Sequence, residues 1–134
     1  MSYKLGESVK VTAGMNPAAL SAGSANGIIL DRTNFYDAIV HLKVGSATGS
    51  PTTQGVALKV QTGDQSDGSD FADVTGDAIA ALTANSAEAE LDLDLNPYKR
   101  YFRVVTTTTF TGGTTPAIPV AVSVVLGNPR SIPA

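Results

Sequence analysis

Aspartates recur every three residues between positions 64 and 73, a segment rich in turn-forming residues. The four are Asp64, Asp67, Asp70 and Asp73. Carboxylate oxygens are the ligands that Ca²⁺ prefers, so the cluster raises the question of a calcium site. The spacing differs from that of an EF-hand loop, whose acids occupy the first, third and fifth positions. Because Asp67-Gly68 is a strong tight-turn dipeptide, we interpret the segment as a solvated turn without a metal ion, with an ion site as the alternative.

A second set of acids alternates with apolar residues over Ser86–Leu95. In an extended strand one face would carry Ala87, Ala89, Leu91, Leu93 and Leu95, and the other would carry Glu88, Glu90, Asp92 and Asp94. Such a strand places its apolar face on a core and its acidic face in water. Outward charges also discourage edge-to-edge pairing of strands. We therefore interpret the acids as a solvated face, with electrostatic docking onto a basic partner as the alternative.

His41 is the single histidine, which excludes a metal site built from several histidines. It lies within an alternating strand beside Lys43, and the chain contains no G-x-S-x-G motif. Gly112-Gly113 joins two strands, so we predict a hairpin turn there and no phosphate-binding loop. No tryptophan is present to stack on a sugar ring. The sequence therefore predicts a protein that is not an enzyme, with no catalytic residues, no cofactor and no small-molecule substrate.

Aromatic and basic residues cluster at the start of the strand predicted over Arg100–Thr109. Phe102 lies on one face of that strand, whereas Tyr101 and Arg103 lie on the other. Tyr98 comes just before the strand. A strand with bulky side chains on both faces is either covered within its own domain or part of a subunit interface, where Tyr and Arg are enriched. Both interpretations remain open at this point.

The elements that must position these residues are strands. Alternation predicts strands at Glu7–Ala13 (Val9 and Val11 inward), Ile28–Leu30, Tyr36–Val44 (Ile39 outward), Val56–Thr62, Ser86–Leu95, Arg100–Thr109 and Ala117–Leu126. Val74–Leu82 fits either a strand or a helical turn. Gly14–Asn26 is predicted to be a loop with one helical turn at Pro17–Leu20. About eight strands separated by turn-rich segments are typical of an all-β, single-domain antiparallel β-sandwich.

The composition restricts the classes of partner. The chain has 134 residues, no cysteine and a formal net charge of -3. Because its few basic residues are scattered, we expect no nucleic-acid partner. No apolar run approaches the ~20 residues of a membrane-spanning helix, so we expect no membrane partner. The first residues lack the apolar segment of a secretory signal, and we expect synthesis in the cytoplasm of a host cell.

Three stretches carry a resemblance to a known family. They are DQSDGSDFADV (Asp64–Val74), YKRYFRVVTTTT (Tyr98–Thr109) and VVLGNPR (Val124–Arg130). In this order they resemble small head structural proteins of tailed bacteriophages, the capsid decoration or cement proteins. The resemblance implies a jelly-roll-like β-sandwich that stabilises a virion from its outer capsid surface. It also implies the phage major capsid protein as partner and a homo-oligomer, with a trimer favoured.

We expect the chain to be divided into three parts. Residues 1–26 would form an N-terminal strand and arm, 27–127 the sandwich core and 128–134 a C-terminal tail. The arm and the loop Gly45–Gly55 are the segments we expect to contact the shell. The residues predicted for the interface are Tyr98, Tyr101, Arg103, Tyr3, Leu5 and Ile132. The alternatives are another phage head or tail component, such as a head fibre base, tail tube or completion protein, and a carbohydrate- or cell-surface-binding β-sandwich module.

Overall fold

Nine β-strands run through residues 4–130, the part of the chain that the computed structural model describes. A short 3-10 turn, Leu5–Glu7, precedes them. The strands are β1 (Lys10–Leu20), β2 (Gly23–Asn26), β3 (Leu30–Asp31), β4 (Phe35–Val44), β5 (Thr53–Gly63), β6 (Ala72–Leu82), β7 (Glu88–Asp94), β8 (Tyr101–Thr111) and β9 (Ile118–Pro129). Within residues 4–130, no helix has the length and apolar character needed to cross a membrane.

The strands form two antiparallel sheets with the core between them. The front sheet has the order β1-β9-β4-β7, and the back sheet has the order β2-β8-β5-β6, with β3 also paired to β8. The pairs β5–β6, β4–β7, β2–β8 and β1–β9 are nested, so the chain is one long hairpin wrapped around the core. This connectivity is that of a jelly roll. The predicted all-β, antiparallel β-sandwich is confirmed.

Inward-facing side chains of the long strands fill the space between the sheets. In β9 these are Ile118, Val120, Val122, Val124 and Leu126, each at most 2% exposed. In β4 they are Ala38, Val40, Leu42 and Val44, also buried. Both sets are the faces that alternation predicts, because a strand with one buried face must place every second residue inside.

The prediction for the N-terminal third was wrong in two respects. Gly14–Asn26 is not a loop with a helical turn, because most of it forms the end of β1 and the whole of β2. Val11 does not point inward, and its side chain is 68% exposed. Two register irregularities in β1, on either side of Met15, change which residues face the core. Pro17 is tolerated because β1 lies at the edge of the front sheet.

These strands also revise the predicted division of the chain. Since β1 pairs with β9 from Lys10 onward, residues 10–26 belong to the sandwich and not to an arm. At the other end β9 continues to Pro129, which pairs with Phe35, so the predicted tail begins inside a strand.

Three further predictions concern connections and ambiguous segments. Gly112-Gly113 does not form a hairpin turn, because it links β8 in the back sheet to β9 in the front sheet. The ambiguous segment Val74–Leu82 lies within strand β6. The tight turn at Asp67-Gly68 is confirmed within the β5–β6 connection, where Gly68 has a φ of +80°.

Candidate interaction surfaces

Tyr98 belongs to the core and not to the surface. Its side chain is 3% exposed, and its ring packs edge-to-face against Phe102 with the centroids 5.8 Å apart. The phenol donates a hydrogen bond of 2.6 Å to Asp77 Oδ2. Burial, together with this carboxylate, raises the pKa of Tyr98. For Tyr98 and Phe102 the structure therefore favours coverage within the chain's own domain, and Tyr98 offers almost no surface to a partner.

The other predicted interface residues remain candidates. Tyr101 and Arg103 are partly exposed on the outer face of the back sheet. Arg103 donates to Gln61 Oε1 at 3.0 Å, and its guanidinium lies 5.0 Å from the centre of the Phe71 ring. Leu5 is 74% exposed in the 3-10 turn. Tyr3 and Ile132 lie outside the residues that the structure describes.

His41 is placed beside one carboxylate and not in a catalytic constellation. It lies on the outer face of β4, where its Nε2 is 3.1 Å from Glu88 Oε2 on β7. Over residues 4–130, no group of three or more His, Cys, Asp or Glu side chains could hold a metal ion. Within the described residues, the one polar side-chain partner of the His41 ring is thus Glu88, on the adjacent strand.

The acidic turn uses its carboxylates to complete its own backbone hydrogen bonds. Asp70 accepts from the amides of Asp64 at 2.9 Å and Gln65 at 3.1 Å, and Asp67 accepts from the amide of Ser69 at 2.9 Å. These bonds lower the pKa of Asp70 and of Asp67. The carboxylates act as turn caps, which agrees with the interpretation of a solvated turn.

This capping predicts that thermal stability falls in acid. Because the pKa of Asp70 is lowered by folding, its carboxylate stabilises the folded state above the unfolded pKa, near 4, and this contribution is lost as the pH falls through the folded pKa. We expect Asp70→Asn to lower the melting temperature at pH 7 and to reduce the further decline between about pH 4 and pH 2. Thermal unfolding followed by circular dichroism measures both. Equal declines in the variant and the wild type would contradict the capping role.

The outer face of the front sheet carries an open groove of about 520 Å³, which we call the front groove. Its apolar lining includes Val9, Ile39 and Val125, and its acidic lining is Asp37, Asp92 and Asp94. Gly127 also lines it and leaves room, since the only atom near a Cβ built there is Val9 Cγ1 at 3.7 Å. The groove is therefore lined by both apolar and acidic side chains.

Strand register aligns three lining residues of this groove, Val125, Ile39 and Asp92, with Val11, which is not itself in the lining. Val11 pairs with Val125, Val125 pairs with Ile39, and Ile39 pairs with Asp92, so the four side chains form one row across β1, β9, β4 and β7. Paired residues in adjacent strands point to the same face of a sheet. The row therefore presents three apolar side chains and ends on an acid.

The acids of β7 extend this surface along the edge of the sheet. Glu88, Glu90, Asp92 and Asp94, which we call the acidic ladder, all point outward. They pair in register with Lys43, His41, Ile39 and Asp37 of β4, respectively. The predicted acidic face of this strand is thus confirmed, and it lies beside the groove.

Basic side chains gather at the end of the sandwich where β8 begins. Arg32, Lys99, Arg100 and Arg130 line a cavity of about 390 Å³ together with Asp64. Arg32 donates to the backbone oxygens of Tyr98 at 2.6 Å and Lys99 at 3.3 Å, and Arg100 pairs with Asp31 at 3.1 Å. These contacts join neighbouring loops, so the cluster has a structural role within the chain.

The front groove was missed by sequence reasoning. Val9, which lines the groove, and Val11, whose register partner Val125 lines it, were both predicted to face inward. The one available signal was Ile39, an apolar residue on the otherwise polar face of β4. A single exposed isoleucine is ordinary on a protein surface and does not indicate a groove.

Comparison with known proteins adds evidence on the fold. No protein-family model matches the sequence, and no curated protein matches it. Among solved structures, a chain from the disulfide-linked pili of Bacillus endospore appendages aligns with a TM-score of 0.52 and 14% identity, over 97% of this chain and 98% of its own.

Two longer chains contain a similar fold. A chain in the structure of infectious bursal disease virus, Gx strain, aligns with a TM-score of 0.55 and 10% identity, over 93% of this chain and 35% of its own. The PBSX exported protein XepA aligns with a TM-score of 0.50 and 15% identity, over 98% of this chain and 40% of its own. At such identities the likeness shows a shared fold.

Proposed function

We propose that this protein is a non-enzymatic virion structural protein that decorates the capsid of a tailed bacteriophage. It cements the shell from its outer surface by binding across neighbouring major capsid subunits. The observation that carries this proposal is the front groove, an apolar surface held open on the outer face of a rigid jelly roll. Contiguous exposed apolar surface on a soluble domain typically marks a protein–protein contact.

Two further observations support the proposal. The stretches Asp64–Val74, Tyr98–Thr109 and Val124–Arg130 resemble head structural proteins of tailed phages. The jelly roll recurs in viral capsid domains, and a chain in a virus structure shares this fold. The fold alone does not specify a function, so the proposal depends on the exposed surface.

Assembly would use no disulfide formed by these 134 residues, because they contain no cysteine. This differs from the disulfide-linked pili whose fold is similar. We expect a closed trimer, with Tyr101, Arg103 and Leu5 among the contact residues. Many weak contacts on a symmetric shell would add up to firm binding, since linked sites increase the overall affinity.

Binding to shells tests the proposal. Shells assembled from the major capsid protein of the same genome are mixed with the purified protein and sedimented. We expect saturable co-sedimentation and a higher temperature of shell disruption, because each bound copy joins neighbouring subunits. Protein that remains in the supernatant at every concentration would contradict the proposal.

Light scattering of the protein alone distinguishes a related role. A tail-tube or completion protein would form rings or open polymers whose mass rises with concentration, because head-to-tail contacts that do not close propagate. A closed trimer would keep a constant mass.

A further inference from the structure

The outer face of the front sheet departs from the usual pattern of a β-sandwich. Outer faces of antiparallel sheets are normally polar, as in the back sheet, where Thr107 and Thr109 point outward. On the front sheet, Val11 is 68% exposed and Ile39 is 40% exposed, and both lie in one row with Val125. Nothing in the core of the chain requires apolar side chains at these positions.

The charges beside this row are nearly all negative. The acidic ladder and Asp37 supply five carboxylates along two adjacent strands. Within residues 4–130 the only basic side chain within 4 Å of these carboxylates is His41, beside Glu88, and Asp37 accepts a hydrogen bond from Asn128 Nδ2 at 3.2 Å. Lys43, which pairs in register with Glu88, donates to the backbone oxygen of Ser86. The carboxylates of Glu90 and Asp92 are thus left for water or for a partner.

We infer that the front groove and the acidic ladder form one docking surface, whose occupant is a protein surface with apolar side chains flanked by lysine or arginine. This inference rests on the proposed function, so the partner surface with these apolar and basic side chains belongs to the shell. Burial of Val11, Ile39 and Val125 supplies the affinity. The ladder selects a cationic partner and orients it. The front sheet then faces the shell, and the outer face of the back sheet, with Tyr101 and Arg103, points away from the shell and remains available for contacts between copies of the chain.

The length of the acidic ladder predicts the length of the basic patch that the partner surface should carry. Seven residues of β7, Glu88–Asp94, span roughly 20 Å at ~3.3 Å per residue. A patch of similar length would bring its cations opposite all four acids. Since these pairs lie at the edge of the contact and remain partly hydrated, their contribution should weaken as salt shortens the range of electrostatic attraction.

Substitution of Ile39 tests the apolar half of the surface. Ile39→Asp places a charge in the groove, and the matched control Ile28→Asp makes the same change at an isoleucine that is 37% exposed elsewhere. With the shells as the binding probe, we expect Ile39→Asp to weaken binding by about 10- to 100-fold. Ile28→Asp should bind as the wild type does. Circular dichroism checks that both variants fold.

Charge reversal tests the acidic half. Asp92→Lys removes one acid of the ladder, and Asp64→Lys makes the same charge change at an exposed acid whose ion pair with Lys99 is 3.9 Å long. We expect Asp92→Lys to weaken shell binding by about tenfold at low salt and by less at ~1 M salt. Asp64→Lys should bind within about twofold of the wild type.

The outcomes separate this inference from the proposed function. If the wild type binds shells and Ile39→Asp binds equally well, the inference is overturned and the proposed function stands. If the wild type does not bind, both fall. If Ile39→Asp instead abolishes self-association of the free protein, the occupant is a second copy, and the assignment to the shell is overturned.

Discussion

The Phe102→Ala substitution is expected to lower the free energy of unfolding by about 4 kcal/mol. Phe102 is 0% exposed and packs between the sheets, with its ring edge-to-face against Tyr98. Alanine leaves a cavity that strands held by backbone hydrogen bonds cannot close. Tyr98 also loses its aromatic partner while its phenol remains bonded to Asp77.

Urea unfolding followed by circular dichroism measures this loss. The matched control is Phe71→Ala, since Phe71 is half-buried in the β5–β6 turn beside Arg103. We expect the control to lower stability by about 1 kcal/mol, because less apolar surface is exposed and the turn can relax. Equal losses in the two variants would show that the core is not organised around Phe102.

Gly27→Ala is expected to lower stability by about 3 kcal/mol. Gly27 lies where the edge strands of the two sheets meet, and its amide donates to Val104 O at 2.7 Å. An added Cβ would clash with the Gly14 carbonyl oxygen and lie 2.8 Å from both Val104 O and Val104 Cγ2. Backbone atoms cannot rotate away as a flexible side chain can, so the two sheets would have to separate locally.

The same urea experiment with Gly127→Ala provides the control. At Gly127 an added Cβ meets only Val9 Cγ1, at an ordinary contact distance of 3.7 Å. We expect a change within about 0.5 kcal/mol, since alanine fits an extended strand. If Gly27→Ala proved as mild as Gly127→Ala, the close approach of the two sheets would be contradicted.

Local sequence predicted the strands that have one buried face and no irregularity. Residues 37–44 of β4, residues 118–126 of β9 and the whole of β7 alternate without interruption, so both their existence and their faces could be predicted. Strand β1 could be predicted only as far as Ala13. Its remainder could not, because Gly14, Asn16 and Pro17 are typical of loops and because the bulges beside Met15 break the alternation. Only its pairing with β9, far away in sequence, makes this segment a strand.

The candidate site likewise could be predicted only where its residues lie within one strand. The acidic ladder lies within one strand, so alternation predicted that its carboxylates point outward. The front groove depends on Val9, which precedes β1, and on the lateral alignment of Val125 and Ile39 in two strands that are distant in sequence. Neither alternation nor composition determines which residues become neighbours across a sheet, because register is set by the whole fold.

The most direct test of the decoration role is a cryo-electron microscopy map of shells incubated with this protein. The proposal predicts extra density of one jelly roll per binding site on the outer surface, bridging neighbouring major capsid subunits. In that density, Ile39 and Asp92 should face the shell. A map with no added density, or with the protein bound only to a tail or connector, would contradict the decoration role. A bound jelly roll with its back sheet on the shell would preserve the role and overturn the front groove as the docking surface.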